Sequence, residues 1–264
     1  MSHVALKVLK YQASDAARSR WLAVYALFFL VACEGLLRFG GGDAKAILSL
    51  MNVVLFIIPL VTLVLGTVYL YNAREFTELL LAQPVSRTDL FTGLYLGLSI
   101  PLVGAFVAGV GLPFLIRGGG DPAQRGTLFA LLATGAALTC IFTAIAFWIA
   151  IRAEDRLRGL GLAIGVWFLL ALLYDGAVLV AVAVFADYPI ERPLLLLTFA
   201  NPIDLARVAL LLRLDVSALM GYTGAVFQRF FGGAAGIASA AGALLVWIAL
   251  PVLIGARDFR RKDF

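Results

Sequence analysis

The chain has 264 residues, of which 62% are hydrophobic and only 14% charged, and its mean hydropathy is +1.00. A soluble domain would carry about 25% charged residues, so the composition indicates an integral membrane protein. The net charge of +5 does not require a nucleic-acid partner, because basic residues of membrane proteins collect on the cytoplasmic side. Cys33 and Cys140 lie in apolar segments and show neither zinc-site spacing nor a disulfide framework.

Residues 1–20 carry Lys7, Lys10 and further basic residues among apolar positions. This amphipathic pattern predicts a helix that lies on the inner membrane face. A secretory signal peptide and a merely solvated basic tail are the rival interpretations. We favour a retained first span, because no small-residue cleavage site follows the run Trp21–Leu37.

Six segments are long and apolar enough to cross the hydrocarbon layer, which takes roughly 20 residues. We therefore predict an all-α integral membrane fold in which residues 1–264 form a single transmembrane domain. The predicted spans are Trp21–Leu37, Ile47–Tyr71, Leu90–Ile116, Leu128–Ile151, Leu160–Phe185 and Gly233–Ile254.

Between the second and third spans, residues 72–89 predict a helix, a break and a new helix, which we call the elbow. Helical spacing would gather Phe76, Leu79 and Leu80 on one face, with Glu75 and Glu78 together on another flank. The break follows from Pro84, which biases the preceding residue away from helix. The new helix follows from Ser86, which offers an N-cap with Asp89 three residues later.

Loop charges predict the orientation of the spans. Basic residues are denser in residues 1–20, in the elbow, in a second short loop at 152–159 and near the C-terminus than in the short intervening loops. The positive-inside rule therefore places these segments, and both termini, in the cytoplasm. The 152–159 loop is either a solvated turn or a second contact for a partner that meets the elbow.

The largest predicted outer segment is 186–231. Within it, Asn201 followed by Pro202, with Asp204 in the first turn, predicts a helix start. Asp204 and Arg207 can form an i, i+3 pair. The following apolar run is too short and too charged to span, so we expect it against the bilayer edge, a second copy of the chain or an external partner.

Two acidic residues fall within predicted spans. Asp175 lies towards the outer leaflet of the fifth span, where an unpaired carboxylate costs on the order of 3 kcal/mol. We favour a structural acid, hydrogen-bonded within the bundle or partly hydrated, over a substrate or coupling role. Glu34 lies four residues before Arg38 and is expected to pair with it.

The sequence contains no motif for catalysis. Its glycine runs lack the spacing of a phosphate-binding loop, so another chain would supply any ATPase, with its ATP and Mg²⁺. His3 is the only histidine, which excludes histidine-dependent triads and the HExxH zinc motif. We therefore predict no catalytic residue, no metal site and no cofactor in this chain; a carboxylate-based intramembrane enzyme is a lesser alternative.

The elbow, the six spans, the basic ends and the missing ATPase together resemble the ABC-2 type permease class. The segment EFTELLLAQPVSRTDLFTGLYLG at 75–97 looks like the first cytoplasmic coupling region of that class. The resemblance implies that the first elbow helix faces an ABC ATPase, of which the complex holds two copies, and the 152–159 loop is the candidate second contact. The predicted ATPase-coupling residues are Glu75, Phe76, Glu78, Leu79, Arg87, Glu154, Asp155 and Arg156.

Four further segments are similar to the permease subunits of ABC complexes that mature nitrous oxide reductase. They are EDRLRGLGLA at 154–163, LLYDGAVL at 172–179, FADYPIERPLL at 185–195 and the long run at 201–232. The resemblance implies denitrification, a permease homodimer in the inner membrane of a bacterium, and a periplasmic copper-handling or scaffold protein, with a copper chaperone as a further candidate partner. The predicted contacts for that periplasmic partner are Asp204, Arg207, Arg213, Met220 and Tyr222.

Two processes, copper delivery and sulfur export, are implied by the resemblance. Cu(I) favours cysteine and methionine ligands, but the candidates are scattered over distant segments and form no ladder through the bundle. Our hypothesis is that the chain conducts no copper and instead transmits ATP-driven motion from the elbow to 186–231. The rivals are an ABC permease for copper or a sulfur species and an ATP-independent secondary transporter, although no internal repeat supports the latter.

Overall fold

The structure is a computed structural model that describes residues 3–40, 43–117, 122–185, 191–213 and 234–262. These residues are almost entirely helical and contain no strand, which confirms the all-α prediction. A π-helical turn, Leu169–Leu173, joins the helices Arg156–Phe168 and Tyr174–Val184. The helices are α1 (His3–Arg18), α2 (Arg20–Phe39), α3 (Asp43–Asn72), α4 (Arg74–Leu81), α5 (Arg87–Ile116), α6 (Pro122–Arg152), α7 (Arg156–Phe168), α8 (Tyr174–Val184), α9 (Glu191–Ala200), α10 (Pro202–Arg213) and α11 (Ala234–Arg261).

Six helical segments of the described chain have the length and apolarity of a membrane crossing, which confirms the six predicted spans. Their ends lie a few residues from the predicted ones, because several helices continue into charged residues beyond the apolar run. The segments are Arg20–Phe39, Lys45–Asn72, Arg87–Ile116, Arg125–Arg152, Arg156–Val184 and Gly236–Arg261.

Side-chain pairs identify the two ends of the bundle. Arg38 pairs with Glu34 at 2.7 Å, as predicted, and Arg117 at the end of α5 reaches the same carboxylate at 3.0 Å. The helices α2 and α5 therefore run in the same direction, and we call the end where they finish the far end. The opposite end, which holds α4 and the last residues of α11, is the elbow end.

The centre of the bundle is built from α3, α5 and α6. Phe91, Phe106, Phe142 and Phe147 of α5 and α6 are almost completely buried. The Phe91 ring also lies 5.7 Å from that of Phe259, so α11 joins the same aromatic cluster. Such packed aromatic rings bury large areas and fix the helices against one another.

Two glycines of α5 let neighbouring helices approach it closely. A Cβ added at Gly97 would lie 2.7 Å from the Cβ of Gln12, and one added at Gly109 would lie 2.7 Å from the carbonyl oxygen of Ala26. Any larger residue would push α1 or α2 away from α5.

Helix α1 packs along α5 through a narrow buried stripe. Val8, Gln12 and Ala16 recur every four residues and are at most 7% exposed. The Tyr69 hydroxyl of α3 donates a hydrogen bond to the Gln12 side-chain oxygen at 2.6 Å. Leu6 and Tyr11, by contrast, are 56% and 64% exposed, which suits a helix that also presents an apolar face to a membrane surface.

The helix α10 differs from our expectation for the apolar run after Asn201. It packs within the bundle, against α6, α11 and α3, rather than at the bilayer edge or on another chain. Ile203, Ala206 and Leu210 are at most 1% exposed. The helices α9 and α10 meet at Asn201 with a bend of 111° and form a broken or re-entrant element. The apolar run after Asn201 is only the second half of this element, so on its own it is too short to span.

Candidate functional site

The elbow has the predicted helix–break–helix form. The first helix, α4, stops at Leu81, three residues before Pro84. The second helix, α5, begins after Ser86, whose hydroxyl oxygen accepts a hydrogen bond from the backbone N–H of Asp89 at 3.1 Å. This N-cap satisfies one of the donors that a helix start leaves unpaired, so the turn between the helices is fixed.

The side chains of α4 divide between an inner and an outer face. Thr77 is buried, and the Phe76 ring stacks on that of Tyr11 at 5.9 Å, so both face the bundle and α1. Glu75 and Glu78 are exposed, and Leu79 is 70% exposed. Leu79 is therefore more exposed than Phe76, although helical spacing groups the two residues, and it follows Glu78 directly on the exposed side of α4.

The helix α11 is tied to the start of α5. The Arg87 guanidinium donates to the backbone carbonyls of Arg260 and Lys262. The Lys262 ammonium donates to the carbonyl of Ile151 at the end of α6. Burial lowers the pKa of Lys262, and the charge of Arg74 lowers it further. Arg87 thus binds within the chain instead of lying free on the surface.

A second link joins α6 to α11. One oxygen of Asp258 accepts hydrogen bonds from Arg152 at 2.8 Å and from the Trp148 indole at 3.0 Å. The Arg152 guanidinium also lies 4.9 Å from the centre of the Trp148 ring. None of these three residues was predicted from the sequence; the only signal was Asp258, an acid that directly follows Arg257 in the basic C-terminal segment.

A third link joins α3 to the 152–159 loop. The Tyr71 hydroxyl lies 3.1 Å from the carbonyl oxygen of Ala153 and 2.9 Å from that of Asp155. A Cβ at Gly159 would lie 2.5 Å from this hydroxyl, so the close packing requires glycine there. With the two preceding links, it connects the ends of α3, α5, α6 and α11; we call the connected ends the elbow platform.

The loop at 152–159 is held mainly by its own charges. The Asp155 carboxylate caps α7 by accepting from the Arg158 N–H at 2.7 Å. The Arg158 side chain pairs with Asp155 at 3.1 Å and with Glu154 at 3.7 Å. Glu154, Asp155 and Arg156 are all exposed. Glu154 also lines a depression of about 360 Å³ between Arg74 and the end of α11.

The broken element α9–α10 reaches the middle of the fifth span. Asn201 is completely buried, and its side-chain oxygen caps α10 by accepting from the Ile203 N–H at 3.0 Å. Its amide nitrogen donates to the carbonyl of Leu170 at 2.8 Å. Leu170 lies in the π-helical turn, halfway along Arg156–Val184.

Next to this junction, one arginine bridges two carboxylates. The Arg207 Nη1 lies 2.8 Å from Asp175 and 2.9 Å from Asp204. The structure thus brings Asp175 into a polar cluster within the bundle and confirms the Asp204–Arg207 pair. The structural role of Asp175 stays a prediction. The side chains of Asp175 and Arg207 are each about one third exposed, 33% and 32%.

The predicted periplasmic contacts are only partly covered by the structure. Asp204 and Arg207 bind Asp175 and each other, as described, and their contact with a partner stays a prediction. Met220 and Tyr222 lie outside the described residues, as does the side chain of Arg213.

The fifth span is also anchored to α3. The Trp167 indole donates to the carbonyl of Phe56 at 3.1 Å, and the two rings meet edge to face at 4.7 Å. A similar contact joins α11 to α9, where the Trp247 indole donates to the carbonyl of Phe199 at 2.9 Å. The sequence gives no local sign of these two contacts.

Soft metal ligands are far apart in the described part of the chain. Cys33 is buried in α2, where its thiol lies 3.6 Å from the carbonyl of Val110, and Cys140 belongs to α6. Met51 is buried in α3. Within the described ranges, no group of three or more histidine, cysteine or acidic residues could hold a metal ion.

Comparisons with known proteins agree along almost the whole chain. A profile described as "ABC-2 family transporter protein" matches residues 6–264. A protein of Pseudomonas aeruginosa named "Probable ABC transporter permease protein NosY" is 27% identical over 271 residues, covering 96% of this chain and 94% of the relative. A protein of Stutzerimonas stutzeri with the same name is also 27% identical, covering 97% of each chain.

Proposed function

Because the chain belongs to the ABC-2 family of transporter proteins, we propose that it is the membrane subunit of an ABC complex and couples ATP hydrolysis at the elbow end to a partner beyond the far end. It works as a homodimer with two copies of an ABC ATPase, which bind the ATP and Mg²⁺. The chain is then not itself an enzyme. The observation that carries the proposal is the elbow platform, in which four helix ends are joined by side-chain hydrogen bonds.

The ATPase docks on the exposed face of α4 and on the 152–159 loop. Glu75, Glu78 and Leu79 project from α4 and offer two carboxylates beside an apolar contact. An exposed apolar side chain flanked by charges is typical of a docking surface, because burial of the apolar group gives affinity and the charges give orientation. Glu154, Asp155 and Arg156 extend this surface.

Motion at α4 reaches the rest of the bundle through packed helices. The elbow platform makes α3, α5, α6 and α11 move together, because each is joined to another at its end. Trp167 carries the movement of α3 to the fifth span, and Asn201 and Arg207 carry it to the broken element. Coupling between distant sites is carried by packed side chains, hydrogen bonds and rigid helices of this kind.

The complex serves the maturation of nitrous oxide reductase, that is, the assembly of its copper sites. The family resemblance of 154–163, 172–179, 185–195 and 201–232 supports this process, and so does the name of the two relatives. The 186–231 segment then contacts a periplasmic copper-handling or scaffold protein. The scattered Cys33, Cys140 and Met51 support transmission without copper conduction, since Cu(I) transfer needs successive soft ligands.

The broken element favours a second candidate function, transport through the membrane. Discontinuous helices that meet near the middle of a span, beside carboxylates, form the substrate sites of many secondary transporters. A permease for copper or a sulfur species would use the same region with an ATPase. Substrate-stimulated ATP hydrolysis in vesicles without the periplasmic partner would favour that permease, and full transport without any ATPase would favour the secondary transporter.

The test is the double variant Glu75→Lys, Glu78→Lys. Reversing both charges places four more units of positive charge on the docking face, where like-charge contacts with the ATPase cost several kcal/mol. We expect reductase maturation to fall at least about tenfold while the chain still assembles with its periplasmic partner. Copper loading of the reductase and ATP hydrolysis are measured in the same cells and membranes.

The matched control is Lys45→Glu, a charge reversal at an exposed position of the far end. It should leave ATP hydrolysis coupled to maturation. Normal maturation in the double variant would show that α4 is not the point at which the motion enters.

A further inference from the structure

A cavity of about 370 Å³ lies at the elbow end between α1 and the joint of α3 with α4; we call it the α1 cavity. Four aromatic residues line it: Tyr11, Trp21, Tyr69 and Phe76. Tyr11 and Trp21 are 64% and 61% exposed, so the cavity opens to the surrounding medium. Exposed tryptophan and tyrosine at a span end are typical of the lipid headgroup region.

The polar lining of the α1 cavity suits a cation. Asp15 supplies a carboxylate, and Ser19 and Asn72 supply further side-chain oxygens. Asp15 has no ion-pair partner within the part of the chain that the structure describes, and none of the described lining residues is Lys or Arg. Aromatic faces beside a carboxylate attract ammonium groups through the ring quadrupole and the opposite charge.

An apolar groove continues from the α1 cavity towards the bilayer centre. This α2–α3 groove has a volume of about 490 Å³, and it shares Trp21 and Leu65 with the cavity. Its wall follows α2 from Trp21 to Phe28 and α3 from Leu65 to Ile57, a depth of roughly 12 Å at 1.5 Å per residue. Its lining is almost entirely apolar.

We propose that the α1 cavity and the α2–α3 groove together bind one phospholipid whose headgroup carries a primary ammonium. The ammonium lies in the aromatic cavity against Asp15, and an acyl chain lies in the groove. Arg18 and Arg20 flank Ser19 and are exposed, so they are available to the phosphate that neighbours the ammonium in such a headgroup. The polar cavity thus matches the headgroup and the apolar groove matches an acyl chain of the same lipid.

The bound lipid would sit against the elbow without belonging to the docking face. Phe76 and Ala73 line the α1 cavity, whereas Glu75, Glu78 and Leu79 do not. The proposal therefore extends beyond the coupling function, and its test measures lipid binding rather than ATP hydrolysis.

The test uses native mass spectrometry of the full chain with its associated subunits, delipidated in detergent and titrated with defined lipids. Phosphatidylethanolamine should bind more tightly than phosphatidylglycerol or phosphatidylcholine of the same acyl chains, because it alone carries an ammonium that can donate hydrogen bonds to the oxygens of Asp15, Ser19 and Asn72. Asp15→Asn should lower the preference for phosphatidylethanolamine about threefold, because a partly exposed ion pair contributes about that factor to binding. Val61→Trp should fill the groove and weaken binding of phosphatidylethanolamine about tenfold, since several methylene groups of the acyl chain would no longer be buried there.

Two variants control for general effects. Glu34→Gln removes a carboxylate at the far end, outside the cavity, and Val31→Trp adds the same bulk at an exposed position of α2 outside the groove. Both should retain the lipid preference of the parent chain. Equal binding of the three lipids, or an unchanged preference in Asp15→Asn, would overturn the proposal. Phosphoethanolamine that binds as tightly as the whole lipid, unaffected by Val61→Trp, would also overturn it, because the site would then take a free amine.

Discussion

At the scale of single residues, Arg207 shows how charges are accommodated within the bundle. One of its nitrogens binds both Asp175 and Asp204, so two carboxylates within the bundle depend on one guanidinium. Charges inside a membrane protein are costly unless they are paired. The side chains of Asp175 and Arg207 keep one third of their surface, which reduces that cost but does not remove it.

Arg207→Gln is expected to lower the free energy of unfolding by about 2–3 kcal/mol, because it leaves two carboxylates without a cation. Asp175→Asn should cost less, about 1 kcal/mol, since Asp204 still pairs with Arg207. The double variant should cost less than the sum, as coupled sites do. Unfolding in detergent, followed by the near-ultraviolet signal of the tryptophans, gives all three values.

Arg38→Gln is the control for this series. It removes an arginine whose side chain is 65% exposed and pairs with Glu34 at the far end, so the expected loss is below about 1 kcal/mol. Additive effects of Arg207→Gln and Asp175→Asn would contradict the shared cluster.

At the scale of elements, the elbow depends on the start of α5. Ser86→Ala removes the hydroxyl that accepts from the Asp89 N–H, and we expect a loss of about 1 kcal/mol in stability. Ser86→Asp should preserve the cap. Thr88→Ala changes a neighbouring residue of the same turn and should have a smaller effect. Hydrogen exchange at 87–90 measures the local change, and equal exchange in the Ser86 and Thr88 alanine variants would refute the cap.

Elements differ in how far their local sequence determines them. The elbow was predictable because Pro84 and Ser86 act on their immediate neighbours. The position of α10 was not, because the partners of Asn201 and Arg207 are Leu170 and Asp175, some thirty residues earlier in the chain. The sequence pattern of a short apolar stretch is the same whether the stretch faces lipid or another helix.

At the scale of the whole molecule, the six spans followed from composition, because crossing the hydrocarbon layer depends on length and apolarity alone. The elbow platform could not be predicted in this way. Arg87 and Lys262 are 175 residues apart, and nothing in either neighbourhood indicates the other. The proposed docking residues on α4 could be selected from the sequence, but the contacts that support them required the arrangement of four helix ends.

The orientation of the bundle gives a prediction for the whole molecule. In a background with Cys33 and Cys140 replaced by serine, Glu78→Cys marks the elbow end and Lys45→Cys the far end, both at exposed positions. A membrane-impermeant maleimide added to intact cells, with the outer membrane permeabilised, should label position 45 and not position 78. Labelling of position 78 alone would place the elbow end outside the cytoplasm.

The bridge between Asp175 and Arg207 also constrains biosynthesis. The carboxylate leaves the ribosome 32 residues before the guanidinium that neutralises it. The fifth segment therefore meets the insertion machinery with an acid that has no counter-ion yet. Its release into lipid is favoured only once the later arginine has emerged, so both segments should enter the bilayer as a unit.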